Sequence, residues 1–306
     1  MSSNNQGWSE DRMHQWLARR TPAILLKGRT GHDAAVFKNP RGLSVQCADQ
    51  CVEGVHFERE VRGRAVGRKA ANRALSDLAA TAAEPLSILL TMSVPRERPE
   101  RWLKAVIEGA SEAALDVGAA LVGGDLSICQ GQAVISVFAS GRLPSKRKPP
   151  GRDRARAGQC VVLTGPVGGS RASRHLRFEP KFSEGQELFA AGASAMMDVS
   201  DGLAWDLHRL ARSSAVRIDL ENVPIHRDAK KASRASGRAA IDHALHDGED
   251  HELIACLLES KRPDWAHQIG TVKAGSGLWL APSLTGLETL RQWQPDEGGW
   301  THGSRD

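Results

Sequence analysis

The chain has 306 residues, of which 41% are hydrophobic and 25% are charged, and its formal net charge is +5. This length suffices for two domains of ordinary size, and the composition is that of a globular protein. No apolar run approaches the roughly 18 residues of a membrane span, and the first residues lack the apolar core of a signal peptide. We therefore expect a cytoplasmic protein that does not bind a membrane. The five cysteines show no CxxC spacing, which argues against a zinc site or a disulfide framework.

The positive charge is concentrated between residues 142 and 156, where seven basic residues accompany one acid, Asp153. The rest of the chain is close to neutral. Proteins that bind nucleic acids usually carry a longer basic stripe with interleaved aromatic residues, and tyrosine is absent here. We therefore expect no nucleic-acid partner.

The first elements predicted along the chain are one helix and two strands. Residues 8 to 19 have the pattern of a short amphipathic helix. A glycine turn then places Asp33 at the beginning of a strand, and a second strand over 43 to 48 ends at Asp49. A strand end would hold such a carboxylate rigidly, although an aspartate in this position is more often a turn former.

An alanine-rich segment over 70 to 83 predicts a helix that ends before Pro85. Its small side chains would allow another element to approach closely. Asp77 is its one carboxylate, and burying a carboxylate is costly unless a cation meets it. The sequence leaves two interpretations open: a salt bridge to Arg73, or a ligand for a metal ion.

Further patterns predict alternating strands and helices through the rest of the chain. The predicted strands cover 86–94, 121–122, 134–139, 160–164, 216–220 and 253–258, and the predicted helices cover 100–117 and 204–212. The strand at 121–122 is expected to end in Gly123-Gly124-Asp125, where a ligand could lie against the main chain. A Pro-, Gly- and Arg-rich segment separates the two halves. We predict an N-terminal domain over 1–144, a basic linker over 145–157 and a C-terminal domain over 158–306.

Two loops of the second half contain polar motifs. Residues 165 to 170 are rich in glycine but lack the GxxxxGK[ST] pattern of a Walker loop. Asp198 and Asp201 flank Ser200 immediately before a predicted helix. Asp201 is either a functional acid or simply the residue that caps this helix.

Isolated acids therefore recur in five short apolar contexts, at Asp33, Asp49, Asp77, Asp125, and Asp198 with Asp201. If these carboxylates converged they would repel one another unless cations lay between them. Oxygen ligands of this kind suit Mg²⁺ bridged to phosphate. Phosphoryl transfer requires positioning and charge neutralisation more than it requires a nucleophilic side chain.

An ordered set of motifs resembles one enzyme family. The motifs are Gly31-His32-Asp33-Ala34-Ala35, Asp49 with Glu53-Gly54-Val55-His56-Phe57, the segment from Asn72 to Ala80, Gly123-Gly124-Asp125, the segment from Met197 to Leu203, and Gly248-Glu249-Asp250-His251-Glu252-Leu253. In this order they resemble the thiamine-monophosphate kinases, members of the aminoimidazole ribonucleotide synthetase-like superfamily.

The resemblance implies an α/β (α+β) fold of two domains, with the N-terminal domain contributing a sheet to a homodimer. It implies a phosphotransferase with a phosphate group as acceptor, which phosphorylates thiamine monophosphate to thiamine diphosphate. ATP would be the co-substrate and Mg²⁺ the cofactor, and the phosphoryl group would pass directly and in line.

The resemblance also implies roles for individual residues. The implied Mg²⁺ ligands are Asp33, Asp49, Asp77, Asp125, Asp198 and Asp201. The implied ATP contacts are Gly124, Asp125, Arg152 and Ser200, and the implied thiamine-phosphate contacts are His56, Glu249 and Trp300. Among these, the catalytic residues are expected to be Asp77, Asp125 and Asp201.

The sequence departs from the family pattern at several points. Cys47-Ala48 stands where the family has Ser-Thr, and Leu126-Ser127-Ile128 stands where it has Thr-Thr-Arg. The segment between Gly165 and Asp198 is also shorter. These departures leave two alternatives open: a diverged relative with low activity that binds ATP and Mg²⁺, or a sister enzyme that acts on another small substrate.

Overall fold

A computed structural model of the protein describes residues 43–143, 145 and 147–299. The predicted helix over 8–19, Asp33 and Trp300 lie outside these residues. The described chain forms two compact units, one from 43–78 and 84–145 and the other from 79–83 and 147–299. The predicted α/β class is confirmed.

The first unit is a four-stranded sheet with two helices. Its strands are β1 (Leu43–Val52), β2 (Glu84–Pro95), β3 (Ala120–Cys129) and β4 (Val134–Leu143), and its helices are α1 (Gly63–Ala80) and α2 (Glu100–Asp116). The strand order is β1-β4-β2-β3, and only the β2–β3 pair is parallel. The helix predicted over 100–117 agrees closely with α2, whereas α1 begins seven residues before the predicted start.

Helices α1 and α2 approach each other closely through glycines. A Cβ added to Gly67 would lie 1.9 Å from the Val106 carbonyl oxygen, and one added to Gly109 would lie 2.1 Å from that of Arg64. No side chain fits at such distances, so these two glycines allow backbone-to-backbone packing. A close approach thus occurs at the beginning of α1, and the predicted one within the alanine-rich segment is also present, because a Cβ added to Gly185 would lie 2.4 Å from the Ala79 carbonyl oxygen.

The two faces of this sheet differ in burial. One face is buried, with residues such as Ile88, Leu90 and Val137 in the core. On the other face Leu89 and Phe138, which are register partners, are 40% and 47% exposed. The sheet therefore presents an exposed apolar row.

Two predicted strand ends are wrong. Asp49 lies inside β1, which continues to Val52, and Gly123, Gly124 and Asp125 lie inside β3. In β3 the reason is local. The register of β2 and β3 shifts next to Gly123, and a Cβ added to Gly124 would lie 1.8 Å from the Leu90 carbonyl oxygen. The glycines accommodate an irregularity within the sheet and do not end the strand.

The second unit contains a seven-stranded mixed sheet. Its strands are β5 (Cys160–Leu163), β6 (Ala195–Asp198), β7 (Arg217–Leu220), β8 (Leu253–Leu257), β9 (His267–Lys273), β10 (Gly277–Leu280) and β11 (Arg291–Gln292), in the order β11-β10-β7-β9-β5-β8-β6. The α-helices are α3 (Phe182–Ala190), α4 (Leu203–Ser214), α5 (Arg227–Ser236), α6 (Ala240–His246) and α7 (Pro282–Thr285). Trp293, only 1% exposed, belongs to its hydrophobic core.

Residues 147 to 157 of the predicted basic linker belong to this second unit. The Gly151 N–H donates to the Ser194 carbonyl at 3.3 Å, and the Ala155 N–H donates to the Ser214 hydroxyl at 3.0 Å. None of the helices within the described ranges is both long enough and apolar enough to cross a bilayer.

Candidate active site

The first predicted ligand in the described chain, Asp49, binds an arginine of α1. Arg73 Nε lies 2.9 Å from Asp49 Oδ2, and Arg73 Nη2 lies 3.1 Å from Oδ1. Oδ1 also accepts the N–H of Gln50 at 2.7 Å. Both side chains are largely buried. This forked ion pair joins residues that are 24 positions apart in the sequence.

Asp77 and Asp125 occupy different surroundings in the same unit. Asp77 is half-buried on α1, one turn after Arg73. Asp125 is exposed on β3, where Thr91 is its register partner. Carboxylate oxygens are the donors that Mg²⁺ prefers, so the chemistry of these side chains fits that ion. Across the residues that the structure describes, no three His, Cys, Asp or Glu side chains are already gathered as a metal site.

The Glu-Gly-Val-His-Phe motif forms a tight loop immediately after β1. Its His56 side chain is buried and accepts the N–H of Val52 on Nδ1 at 3.0 Å. Glu53 is also buried; it binds Arg98 at 2.9 Å and accepts the N–H of Ala133 at 3.1 Å. Burial alone would raise the pKa of Glu53, but these donors more than offset it and lower its pKa. The motif therefore has a clear structural role, and His56, predicted to bind substrate, is part of it.

In the second unit, Asp198 lies at the end of β6 and is buried. His251 Nδ1 lies 2.9 Å from Asp198 Oδ2, and the imidazole stacks on Phe178 with ring centroids 3.9 Å apart. The stacking fixes the ring, so His251 orients the carboxylate of Asp198. Sequence reasoning missed this histidine because the pair spans 53 positions.

Asp201 does not cap the helix that follows it, so that interpretation was wrong. The residue at the N-cap of α4 is Gly202, with φ 112°, and it makes no side-chain cap. The Asp201 carboxylate instead binds Arg209, which also lies 3.3 Å from Asp206 Oδ1.

Asp206, in the first turn of α4, holds this loop in place, and the sequence analysis did not identify it. Its Oδ2 accepts the N–H groups of both Ser200 and Asp201, each at 3.0 Å, and its side chain is fully buried. Burial, together with the charges of Asp201 and Asp198, raises the pKa of Asp206 well above its ordinary value. In sequence it looks like an ordinary acid in the first turn of a helix.

The loop that contains Glu249 binds the Asp198–Gly202 loop through the main chain. The Glu249 N–H donates to the Ser200 carbonyl at 2.7 Å, and the His251 N–H donates to the Val199 carbonyl at 2.8 Å. Glu249 and His251 both have left-handed backbone angles, with φ of 54° and 53°. Such angles are unfavourable for these residues, and they concentrate at functional sites. The structure thus brings together Asp198, Ser200, Asp201 and Glu249.

The side chain of Glu249 has a partner that sequence reasoning missed. His175 Nδ1 lies 2.8 Å from Glu249 Oε2, and the Ser170 hydroxyl donates to the Glu249 carbonyl at 2.6 Å. His175 lies in the segment between Gly165 and Asp198. No sequence motif marks it.

The glycine-rich loop over 165–170 binds carboxylates of the chain itself. The Gly168 N–H donates to Asp250 Oδ1 at 2.9 Å, and the Gly169 N–H donates to Asp247 Oδ2 at 3.2 Å. Arg174 adds a second donor to Asp250 Oδ1 at 2.7 Å. Burial raises the pKa of Asp250 to about 7, although Arg174 acts to lower it. The amides of this loop thus hold the acidic loop in place.

Arg152 and Gly124 are the remaining predicted ATP contacts. Arg152 is exposed, and its carbonyl accepts the Ser214 hydroxyl at 2.8 Å, which fixes its backbone next to the end of α4. Gly124 is exposed on β3. Each unit therefore contributes some of the predicted residues. The predicted residues include several acids and one arginine, and none of them is an activated nucleophile.

Comparison with known proteins identifies relatives that match most of the chain. Residues 31–143 match the family "AIR synthase related protein, N-terminal domain". The thiamine-monophosphate kinase of Rhodopirellula baltica is 34% identical, over 92% of this chain and 96% of that protein. That of Mycobacterium tuberculosis is 35% identical, over 84% of this chain and 82% of that protein.

Solved structures agree with this result. The structure of AaThiL complexed with AMPPCP and TMP has a TM-score of 0.76 at 28% identity. The match covers 85% of this chain and 87% of that one.

Proposed function

Because the chain belongs to the thiamine-monophosphate kinase family, we propose that it transfers the γ-phosphoryl group of ATP to thiamine monophosphate, forming thiamine diphosphate. The observation that carries the proposal is the hydrogen bond of 2.7 Å from the Glu249 N–H to the Ser200 carbonyl. It joins the loop with the expected nucleotide and metal residues to the loop with the expected substrate residue. A related structure contains both AMPPCP and TMP, which supports a site for two phosphate compounds.

The roles of the acids follow from their chemistry. Asp49, Asp77, Asp125, Asp198 and Asp201, together with Asp33, would hold Mg²⁺. When bound, Mg²⁺ would neutralise phosphate charge and orient the transferred group. Arg73 and Arg209 contact two of these carboxylates, those of Asp49 and Asp201, and compensate part of their negative charge.

The side chains and main chain of the protein would position ATP and thiamine monophosphate. Arg152 offers a forked donor to ATP phosphate, with Gly124 and Ser200 beside the nucleotide. His56, Glu249 and Trp300 would contact thiamine phosphate, and Asp77, Asp125 and Asp201 would surround the reacting phosphate. With an in-line arrangement of the two substrates, transfer needs no covalent intermediate on the protein.

Assembly into a homodimer is the second part of the proposal. Leu89 and Phe138 form an exposed apolar row on the sheet of the first unit. A second copy would bury this row, since exposed contiguous apolar surface favours association. Phe138→Asp should make the protein monomeric in analytical ultracentrifugation. Leu115→Asp, at a residue 54% exposed near the end of α2, is the matched control and should not.

A product assay tests the reaction. Purified protein with ATP and Mg²⁺ should convert thiamine monophosphate to the diphosphate, as seen by chromatography. Other small phosphate acceptors and unphosphorylated thiamine should react far more slowly. Turnover of another acceptor in place of thiamine monophosphate would favour a diverged relative or a sister enzyme.

A further inference from the structure

Asp206 joins the two loops of the second unit that the proposed function uses. It lies in the first turn of α4, and its side chain reaches back to the residues that precede the helix. One carboxylate oxygen, Oδ2, accepts two consecutive amide groups, those of Ser200 and Asp201, each at 3.0 Å. Two bonds to one oxygen fix the direction of both peptide planes.

The Ser200 peptide extends this connection to the second loop. Its N–H is held by Asp206, and its carbonyl accepts the Glu249 N–H at 2.7 Å. Glu249 has the unfavourable left-handed backbone, which persists only when neighbouring contacts impose it. The chain of contacts therefore runs from Asp206 through Ser200 to Glu249.

Arg209 gives the fully buried carboxylate of Asp206 a cationic neighbour. It lies one turn further along α4 and contacts both Asp206 and Asp201. A buried carboxylate is costly without such a partner. Leu203 and Leu207 of the same helix lie in the hydrophobic core, so burial by itself does not call for an acid at position 206.

We propose that Asp206 is a positioning residue that sets the Asp198–Gly202 loop and, through Ser200, the loop of Glu249. The inference rests on the proposed function for its kinetic consequence but not for its structural one. Asp206 binds the main chain of Ser200 and Asp201, so it would act on the substrates only through these loops. Its loss would displace both loops together.

Hydrogen–deuterium exchange of the full chain tests the structural part. Asp206→Ala should speed exchange about tenfold or more in peptides covering 198–203 and 247–253, because both loops lose their anchor. Asp206→Asn keeps an acceptor oxygen and should give a smaller change. The matched control is Asp219→Ala, which removes another buried acid of the same unit, paired with Arg217 at 2.5 Å. This variant should leave both peptides unchanged.

Kinetics test the functional part at a temperature where all variants are folded. Asp206→Ala should raise the KM values for ATP and thiamine monophosphate about fivefold or more, with partial recovery in Asp206→Asn. Asp219→Ala should lower the melting temperature with little change in either KM.

Two results would overturn the proposal. One is that Asp206→Ala exchanges at the wild-type rate in both peptides. The other is that its KM values match those of Asp219→Ala. If Asp206→Ala does not fold, Asp206→Asn decides by the same two criteria. If the wild type makes no thiamine diphosphate, the proposed function fails, whereas the exchange comparison still decides the role of Asp206.

Discussion

Arg73 binds both carboxylate oxygens of Asp49, at 2.9 Å from Nε to Oδ2 and 3.1 Å from Nη2 to Oδ1. The pair connects helix α1 to strand β1 inside the first unit. It keeps a predicted metal ligand in a fixed orientation without relying on a strand end. A guanidinium fork matches a carboxylate in a way that an ammonium cannot.

Replacing this fork should weaken the fold. We expect Arg73→Lys to lower the free energy of unfolding by about 1 kcal/mol, because one of two charge-assisted hydrogen bonds is lost in a largely buried pair. Urea denaturation measures it. Arg64→Lys is the control, since Arg64 pairs with Glu112 while its side chain is 62% exposed. It should cost less than about 0.5 kcal/mol, and equal losses would show that burial of the Asp49 pair does not matter.

A substitution at Asp77 distinguishes a functional role of this carboxylate from a structural one. Asp77→Asn should reduce kcat/KM by at least about 100-fold while the melting temperature changes little, since the amide keeps the shape and loses the charge. Asp116→Asn, at the exposed end of α2, should keep normal activity. A folded Asp77→Asn protein with near-normal turnover would contradict a metal-binding role.

Arg152 and Lys148 are both exposed and basic, but we expect them to behave differently. Arg152→Ala should raise the KM for ATP about tenfold, because a forked phosphate donor is lost, whereas Lys148→Ala should have almost no effect. Initial rates at varied ATP measure this difference. Similar effects of the two changes would indicate a diffuse electrostatic field instead of a specific contact.

Asp250 should make stability depend on pH. Its pKa is raised from 3.8 to about 7 in the folded protein. Between these values the folded state therefore binds more protons than the unfolded state, and stability falls as the pH rises through this window. The loss is on the order of 4 kcal/mol and is complete above pH 7.

Comparison with Asp250→Asn isolates this contribution, because the amide does not titrate. The variant should gain stability relative to wild type as the pH rises from about 4 to about 8, and the difference should then stay constant. Guanidinium denaturation at several pH values measures it. A difference that is independent of pH would contradict the raised pKa.

The position of Cys47 allows a test of the departure from the family pattern. The Cys47 thiol donates to the Ala74 carbonyl of α1 at 3.0 Å, on the same face of β1 as Asp49, whereas Ala48 points to the opposite face. Cys47→Ser should therefore lower the Mg²⁺ concentration needed for half-maximal activity, and Ala48→Thr should not change it. Mg²⁺ titrations of the two variants decide, and a shift in Ala48→Thr alone would contradict the assigned faces.

Local patterns predicted some regular elements well but missed others, among them helices α3, α5 and α6 and strands β9 and β10. Helix α2 and strand β8 follow the 3.6-residue and apolar patterns almost to the residue, because burial of one face dictates these patterns. Gly124 and Asp125 misled the strand prediction, since glycine and aspartate usually mark turns. Here the glycine instead allows two strands to approach.

The contacts that organise the candidate site could not be predicted in this way. Asp49 with Arg73 and Asp198 with His251 are pairs distant in sequence, and only the tertiary fold determines them. Asp206 has the sequence context of a helix-dipole acid, yet its carboxylate binds the loop before the helix. The ordered set of motifs identified the family, whereas these supporting residues required the structure.

Transfer of labelled phosphate tests the proposed reaction most directly. The protein is incubated with ATP labelled on the γ-phosphate, Mg²⁺ and thiamine monophosphate, and the products are separated. We expect the label in thiamine diphosphate in a one-to-one ratio with ADP, and no comparable ADP formation without thiamine monophosphate. Release of the label as free phosphate, with no labelled thiamine diphosphate, would contradict direct transfer between the two substrates.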